Sequence, residues 1–166
     1  ASYGIHPRWK ATSKHLAVVG FEPHEQALAK LRKTDSDGAK FVYLNTALYN
    51  KKIDADFYVT NGETKSSLLR PNKVFLDRFP DADRLEVERV SKVKTDTLDN
   101  QLLEHHIHDV DFIKLDLQGG ELPALEGAQK IVASSVFGIE VEVEFVEMYE
   151  KQPLFADVDK FLRDFG

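Results

Sequence analysis

A strand-like stretch that ends in an aspartate carries the clearest chemistry in this sequence. An apolar run within residues 111–115 is followed by Asp116, by two glycines and by an amphipathic stretch that begins at Glu121. In open α/β sheets, a strand, a tight turn and a helix N-terminus form ligand sites beyond the carboxyl ends of the strands. A carboxylate there can accept a proton, bind a cation or orient a substrate hydroxyl. We therefore expect Asp116 to lie at the centre of a functional site.

Two further polar side chains are predicted to share that sheet edge. Glu22 closes the apolar run at residues 16–21, and Asn45 follows the run at residues 41–44. Because neighbouring parallel strands end at one edge, Glu22, Asn45 and Asp116 are expected to line a single cleft. A carboxylate placed like Glu22 can accept hydrogen bonds from both hydroxyls of a ribose. The structural alternatives are a helix N-terminal acid for Glu22 and a cap or an ion-paired acid for Asp116.

Two clusters could bind a metal ion, but we predict that neither does. Glu140, Glu142 and Glu144 alternate along one face of a predicted strand, a pattern more typical of a solvated face or a protected edge. The histidine side chains at residues 105–109 are so close in sequence that they could bind one ion together only in a loop, and no second cluster of ligands is evident in the sequence. Glu140 lies nearest the end of its strand, so we expect it to face the cleft and contact the substrate.

Apolar runs and helical periodicity alternate along the chain and predict one α/β domain over residues 1–166. The predicted strands cover residues 16–21, 41–44, 54–60, 85–93, 111–116 and 138–145. The predicted helices begin near residues 25, 95, 121 and 155, the second of them capped by Thr95 or Asp96. The alternation predicts a mostly parallel central sheet with right-handed connections and helices on both faces.

Composition excludes several classes of function. Acidic residues outnumber basic ones by 28 to 22, for a net charge of −6, so DNA or RNA is not expected as a partner. No apolar run approaches the roughly 20 residues that span a bilayer, so no membrane partner is expected either. The absence of cysteine fits a reducing compartment, and we expect a cytoplasmic protein.

Four segments together resemble the FkbM-type family of S-adenosylmethionine-dependent methyltransferases. They are Phe21-Glu22-Pro23, Ser66-Ser67-Leu68, the stretch Asp111–Glu121 and Glu126-Gly127-Ala128, in the order typical of the family. The most specific part is Lys-x-Asp-x-x-Gly-x-Glu, which ends at Glu121, with Glu-Gly-Ala one helix later. The resemblance implies a Rossmann-like class I fold and S-adenosylmethionine as methyl donor. It also implies a small-molecule acceptor, most often a hydroxyl of a sugar or a natural product.

The resemblance also implies which residues form the site. The residues implied to bind the donor are Tyr3, Gly4, Glu22, Pro23, Asn45, Thr46 and Ala47. The acceptor side would be Asp116 as the catalytic residue, with Ser66 and Ser67 from a covering loop as substrate contacts, beside Glu140, which is expected there from its place on the strand. The chain begins inside the first motif of that family and ends before its terminal strand pair, so both are expected to be truncated. Gly120 stands where alanine is common in the family, an exchange expected to be tolerated.

Two other classes of protein fit the same residues. One is a methyltransferase fold without catalysis that serves as a binding module. The other is a nucleotide-dependent oxidoreductase or sugar-nucleotide enzyme on a similar sheet, although no G-x-G-x-x-G fingerprint occurs in the sequence. Binding of the methyl donor, of its demethylated product or of NAD would separate the three classes.

Overall fold

The structure is a computed structural model that describes residues 7–34, 39–62 and 64–165. Tyr3 and Gly4, which were predicted to contact the donor, lie outside the described residues. The chain divides into two compact units, residues 1–47 and residues 48–166.

In its described residues, the first unit contains two parallel strands, one 3₁₀ helix and one α-helix. Its elements are a 3₁₀ helix (Pro7–His15), β1 (Ala17–Phe21), α1 (Glu25–Thr34) and β2 (Lys40–Leu44). The two strands pair in parallel along their whole length, from Ala17 opposite Lys40 to Phe21 opposite Leu44. Leu28 and Leu31 of α1 pack with Tyr43 of β2 in a small core. The predicted strand, helix and strand of this segment are therefore confirmed, and so is the parallel direction.

The second unit contains the remaining elements, and β3 (Ala47–Leu48) lies at its boundary. Its strands are β4 (Asp54–Thr60), β5 (Val87–Asp96), β6 (Phe112–Leu115) and β7 (Gly138–Val141). Its helices are α2 (Lys73–Leu76), a 3₁₀ helix (Ala82–Leu85), α3 (Leu98–Glu104), α4 (Glu121–Glu126), α5 (Gln129–Ser134) and α6 (Phe155–Arg163). The fold class is α/β, as predicted.

Hydrogen bonds join the described strands into three small sheets, β1–β2, β3–β5–β4 and β6–β7, where a single central sheet was predicted. The direction of strand pairing also departs from the prediction. β6 and β7 are parallel, with Phe112 opposite Gly138 and Leu115 opposite Val141. β4 and β5 are instead antiparallel, with a register shift between Val59 and Thr60. Among the described residues between these two strands, the helical elements are the four-residue α2 and a short 3₁₀ helix. The connection therefore lacks the full helix that usually forms the crossover between parallel neighbours.

Two predicted element ends are wrong. Thr95 and Asp96 were predicted to cap a helix, but they end β5, and Thr97 caps α3 by accepting the N–H of Asn100. Asp96 is 2% exposed and accepts hydrogen bonds from the Thr97 N–H and the Gln101 amide, so its side chain ties the strand to the helix. The predicted strand at residues 138–145 is also too long, since β7 stops at Val141.

Gly127 interrupts the long helix that was predicted after Asp116 and separates α4 from α5. A Cβ at this position would collide with the Tyr49 carbonyl oxygen and lie 3.2 Å from Thr97. Its own carbonyl accepts the N–H of Asp99 in α3 at 3.0 Å. The carboxylate of Asp99 in turn accepts the N–H groups of Lys130 and Ile131, at 2.9 and 3.0 Å, and so caps α5. The Glu-Gly-Ala motif is therefore a packing contact.

Replacing Gly127 with alanine should lower the free energy of unfolding by about 2 kcal/mol or more, because the added carbon overlaps a backbone oxygen that cannot rotate away. Gly120→Ala is the matched control, since a Cβ there would meet no atom nearer than 3.5 Å and its φ is −90°. We expect the control to change the unfolding free energy by less than about 0.5 kcal/mol. Urea denaturation of the two variants measures both values, and equal midpoints would contradict the close contact.

Candidate active site

A tight left-handed turn places Asp116 at the end of β6. Gln118 and Gly119 both have positive φ, 55° and 96°, and α4 begins two residues later at Glu121. Glycine fits position 119 for a second reason, since a Cβ there would lie 3.1 Å from Leu69. A positive φ at a residue such as Gln118 costs on the order of 1 kcal/mol or more, so surrounding contacts must hold it.

A buried carboxylate holds this turn from inside. Glu121 is 6% exposed, and its Oε1 accepts the N–H of Leu117 at 2.6 Å. The same carboxylate also accepts backbone hydrogen bonds from Gly119 and from its own N–H. Burial raises the pKa of Glu121, and these backbone bonds offset part of that rise. Three donors converge on this carboxylate, so the path of the chain from residue 117 to residue 121 is fixed.

Asp116 and Glu142 form a hydrogen-bonded pair of carboxyl groups. The amide of Gln118 bridges them, because its Nε2 donates to Asp116 Oδ1 at 2.8 Å and to Glu142 Oε2 at 3.0 Å. The hydrogen bond with Asp116, burial and the charge of Asp116 raise the pKa of Glu142 to about 7. Burial also acts to raise the pKa of Asp116, but hydrogen bonds from Glu142 and Gln118 outweigh it and lower that pKa. Near neutral pH the pair thus holds an ionised Asp116 beside a Glu142 that carries a proton about half of the time.

Tyr149 connects this pair to the interior of the second unit. The tyrosine is 2% exposed, and its hydroxyl lies 2.8 Å from the carbonyl oxygen of Lys65 and 3.1 Å from Oε1 of Gln118. The backbone N–H of Tyr149 donates to Oε1 of Gln152 at 3.1 Å. Burial raises the pKa of Tyr149, so its hydroxyl stays protonated and can donate.

A small pocket of about 10 Å³, room for about one water molecule, lies against the turn. Its walls are mostly polar, and they are formed by Gln118, Gly119, Glu121, Glu142, Glu144, Tyr149 and Gln152. Over the described ranges of the chain, no three His, Asp or Glu side chains are grouped to hold a metal ion. What the pocket offers a ligand is a set of carboxylate and amide groups, which suit a molecule that carries hydroxyls.

Three of the predicted donor-binding residues come together in the first unit. Glu22 follows β1 and is 8% exposed, and its Oε1 accepts the N–H of His24 at 3.1 Å. The side-chain amide of Asn45, just after β2, donates to the backbone oxygens of Glu22 and Pro23, both at 3.0 Å. Thr46 and Ala47 follow, the first half-buried and the second buried.

The three residues predicted to contact the acceptor, Ser66, Ser67 and Glu140, have different environments. Ser66 Oγ accepts the N–H of Thr60 at 3.1 Å. Ser67 is buried, and its hydroxyl donates to the backbone oxygen of Gln118 at 2.7 Å. This hydrogen bond stabilises the left-handed turn at Gln118 and Gly119. Glu140 lies opposite Lys114 in the β6–β7 register and forms an ion pair with it at 3.1 Å.

Glu142, which the sequence did not single out for the site, is the carboxylate that contacts Asp116. The signal for it lies in the register of two parallel strands. With Lys114 opposite Glu140, continuing by two residues brings Asp116 opposite Glu142, and the Glu142 N–H still donates to Leu115. Tyr149 was missed because Lys65 and Gln118 are distant from it in the sequence, and Gln118 because its contacts with Glu142 and Tyr149 are distant as well.

Comparison with known families identifies the class of protein to which this site belongs. The family model described as the methyltransferase FkbM domain matches residues 7–166. The chain therefore belongs to the FkbM methyltransferase family, as the sequence motifs predicted. Searches among curated proteins and among solved structures gave no match. Among the described residues, no helix is long and apolar enough to cross a membrane.

Proposed function

We propose that this protein transfers a methyl group from S-adenosylmethionine to a hydroxyl of a small molecule such as a sugar or a natural product. The observation that carries the proposal is the Asp116–Glu142 pair, which keeps one carboxylate ionised at the end of a strand in a methyltransferase domain. The proposal includes the Rossmann-like class I arrangement, which the parallel pairs β1–β2 and β6–β7 support.

Asp116 is proposed to act as the base. When bound, S-adenosylmethionine supplies a methyl group on a positively charged sulfur, which needs no further activation. The methyl group would pass to the acceptor oxygen with the electron pair of the carbon–sulfur bond left on sulfur, and Asp116 would accept the hydroxyl proton. Gln118 and Glu142 hold the Asp116 carboxylate in place by hydrogen bonds, which reduces the reorganisation required for proton transfer.

Glu22 is proposed to hold the ribose of the donor. Its carboxylate lies directly after a parallel strand, where such an acid can accept hydrogen bonds from two vicinal hydroxyls. Asn45 fixes the backbone at Glu22 and Pro23 through two hydrogen bonds, so the position of the carboxylate is set by neighbouring strands rather than by a free loop. Thr46 and Ala47 are proposed to approach the adenine, and Ser66 and Glu140 to contact the acceptor.

Glu22→Ala should weaken donor binding by about 10- to 100-fold, because two hydrogen bonds to a charged group are lost. Titration calorimetry with S-adenosylmethionine measures this change. Glu25→Ala is the control, since Glu25 is an exposed acid in the first turn of α1 and should leave the affinity unchanged. Equal affinities for wild type and Glu22→Ala would refute the ribose assignment.

The same measurements separate the alternatives. A protein that binds S-adenosylmethionine but turns over no acceptor from a panel of hydroxylated small molecules would be a binding module. A protein whose melting temperature rises with NAD but not with the methyl donor or its demethylated product would belong to the oxidoreductase class.

A further inference from the structure

The side-chain amide of Gln118 has a polar partner at both of its ends. Its nitrogen donates to Asp116 and to Glu142, and its oxygen faces the hydroxyl of Tyr149 at 3.1 Å. If the amide were reversed, its oxygen would lie 2.8 Å from an oxygen of the ionised Asp116, and two charge-assisted hydrogen bonds would be lost. The carboxyl pair therefore fixes the orientation of the Gln118 amide, with its nitrogen toward the pair. Its oxygen then points to the Tyr149 hydroxyl.

Tyr149 is a rigid hydrogen-bond partner for the amide oxygen of Gln118. Its ring packs with Leu76 and Leu85 in a buried cluster, and its backbone is held by Gln152. Both groups near its hydroxyl, the Lys65 carbonyl at 2.8 Å and the Gln118 amide oxygen at 3.1 Å, are acceptors, so the hydroxyl shares its one proton between them. The position of the hydroxyl is thus fixed by the core of the unit and does not depend on a ligand.

We propose that Tyr149 is a positioning residue of the active site, which holds Gln118 so that its amide N–H groups stabilise the ionised form of the Asp116–Glu142 pair. The inference rests on the proposed function, because it gives the pair the role of accepting a proton. Without the hydroxyl, the half-buried amide oxygen of Gln118 faces an aromatic edge, and the side chain turns toward solvent. The backbone keeps the two carboxyls adjacent, since the Glu142 N–H donates to Leu115 at 3.0 Å.

The charged groups around the pair stay the same when the hydroxyl is removed. Asp116 is influenced by Lys114 and Lys65, and Glu142 by Lys65 and Glu121. Tyr149 is influenced by Glu121, Glu142, Glu144 and Asp116. Its phenol is neutral throughout the range in which the pair titrates, so Tyr149→Phe changes one hydrogen bond and no charge.

The test is the titration of the Glu142 carboxyl, followed by carbon NMR on the protein alone. In Tyr149→Phe the pKa of Glu142 should rise above its value of about 7 by roughly half a unit or more, because the doubly ionised pair loses N–H donors. Gln118→Leu should produce the same rise, and adding Tyr149→Phe to it should produce no more. Tyr58→Phe, which removes a phenol hydroxyl from β4, is the control and should leave the titration unchanged.

An unchanged or lower pKa of Glu142 in Tyr149→Phe would overturn the inference, and so would an additive effect in the double variant. The titration needs neither donor nor acceptor, so its outcome is independent of turnover. If the expected shift occurs while the wild-type protein transfers no methyl group, the proposed function fails and the positioning of Gln118 by Tyr149 stands. If methyl transfer occurs but the pKa of Glu142 does not shift, the proposed function stands and the positioning of Gln118 by Tyr149 fails.

Discussion

Replacing Asp116 with asparagine should reduce kcat for methyl transfer by about 100- to 10,000-fold, the range over which a positioned base contributes. Asparagine keeps the shape of the side chain, and its oxygen can still accept the hydrogen bond from Gln118. What it loses is the negative charge that accepts the hydroxyl proton. The fold of the second unit should be retained, because Asp116 is exposed and contributes no apolar packing. Steady-state kinetics with the donor in excess measures the change.

The same variant has a second readout that does not depend on turnover. The pKa of Glu142 should fall from about 7 toward its ordinary value of 4.5, since the hydrogen bond to the carboxylate of Asp116 is its largest cause and the negative charge adds to it. The control is Asp111→Asn, an exposed aspartate just before β6, which should leave both kcat and this pKa unchanged. A full wild-type kcat in Asp116→Asn would show that Asp116 is not the base.

Replacing Glu121 with alanine should lower the free energy of unfolding by about 3 kcal/mol, because three backbone N–H groups lose their acceptor in a buried turn. Burial raises the pKa of Glu121, so its charge is not what stabilises the fold. Its oxygens stabilise the fold by accepting hydrogen bonds. Glu121→Gln, which keeps one such oxygen, should therefore fall between wild type and the alanine variant. Urea denaturation at neutral pH measures all three proteins.

Glu126→Ala is the matched control for this prediction, since it removes a glutamate from the same helix. Glu126 accepts an exposed hydrogen bond from Asn50 at 2.7 Å, so its loss should cost less than about 1 kcal/mol. A Glu121→Ala variant as stable as Glu126→Ala would mean that the left-handed turn at Gln118 and Gly119 does not depend on the buried carboxylate.

Local sequence patterns predicted most of the elements but not how the strands pair. The strand predicted at residues 54–60 is β4, and both of its ends are confirmed. The local pattern of one strand says nothing about the direction of its neighbour, so the antiparallel pairing of β5 with β4 was missed. The end of β7 was misplaced since the alternation of Glu142 and Glu144 continues past Val141, where the pairing stops.

In the candidate site, too, the residues placed by local sequence were predicted and those placed by distant contacts were not. Asp116 was predicted because the strand, the glycines and the helix start that place it are neighbours in the sequence. Glu142 depends on the register between two strands, and Tyr149 meets Gln118 and Lys65 across 31 and 84 residues. Contacts of that kind leave no local pattern, so they become visible only in three dimensions.

The capping of α5 by Asp99 has a consequence for how this protein folds. α3 and α5 have seven and six residues, lengths at which an isolated helix is not stable in water. The N–H groups of Lys130 and Ile131 in α5 donate to the Asp99 side chain on α3, and the Asp99 N–H donates to Gly127, two residues before α5. The two helices therefore stabilise each other and should form in one cooperative step. The amide protons of Lys130 and Ile131 then exchange with solvent only when α3 detaches, as a single unit of local unfolding.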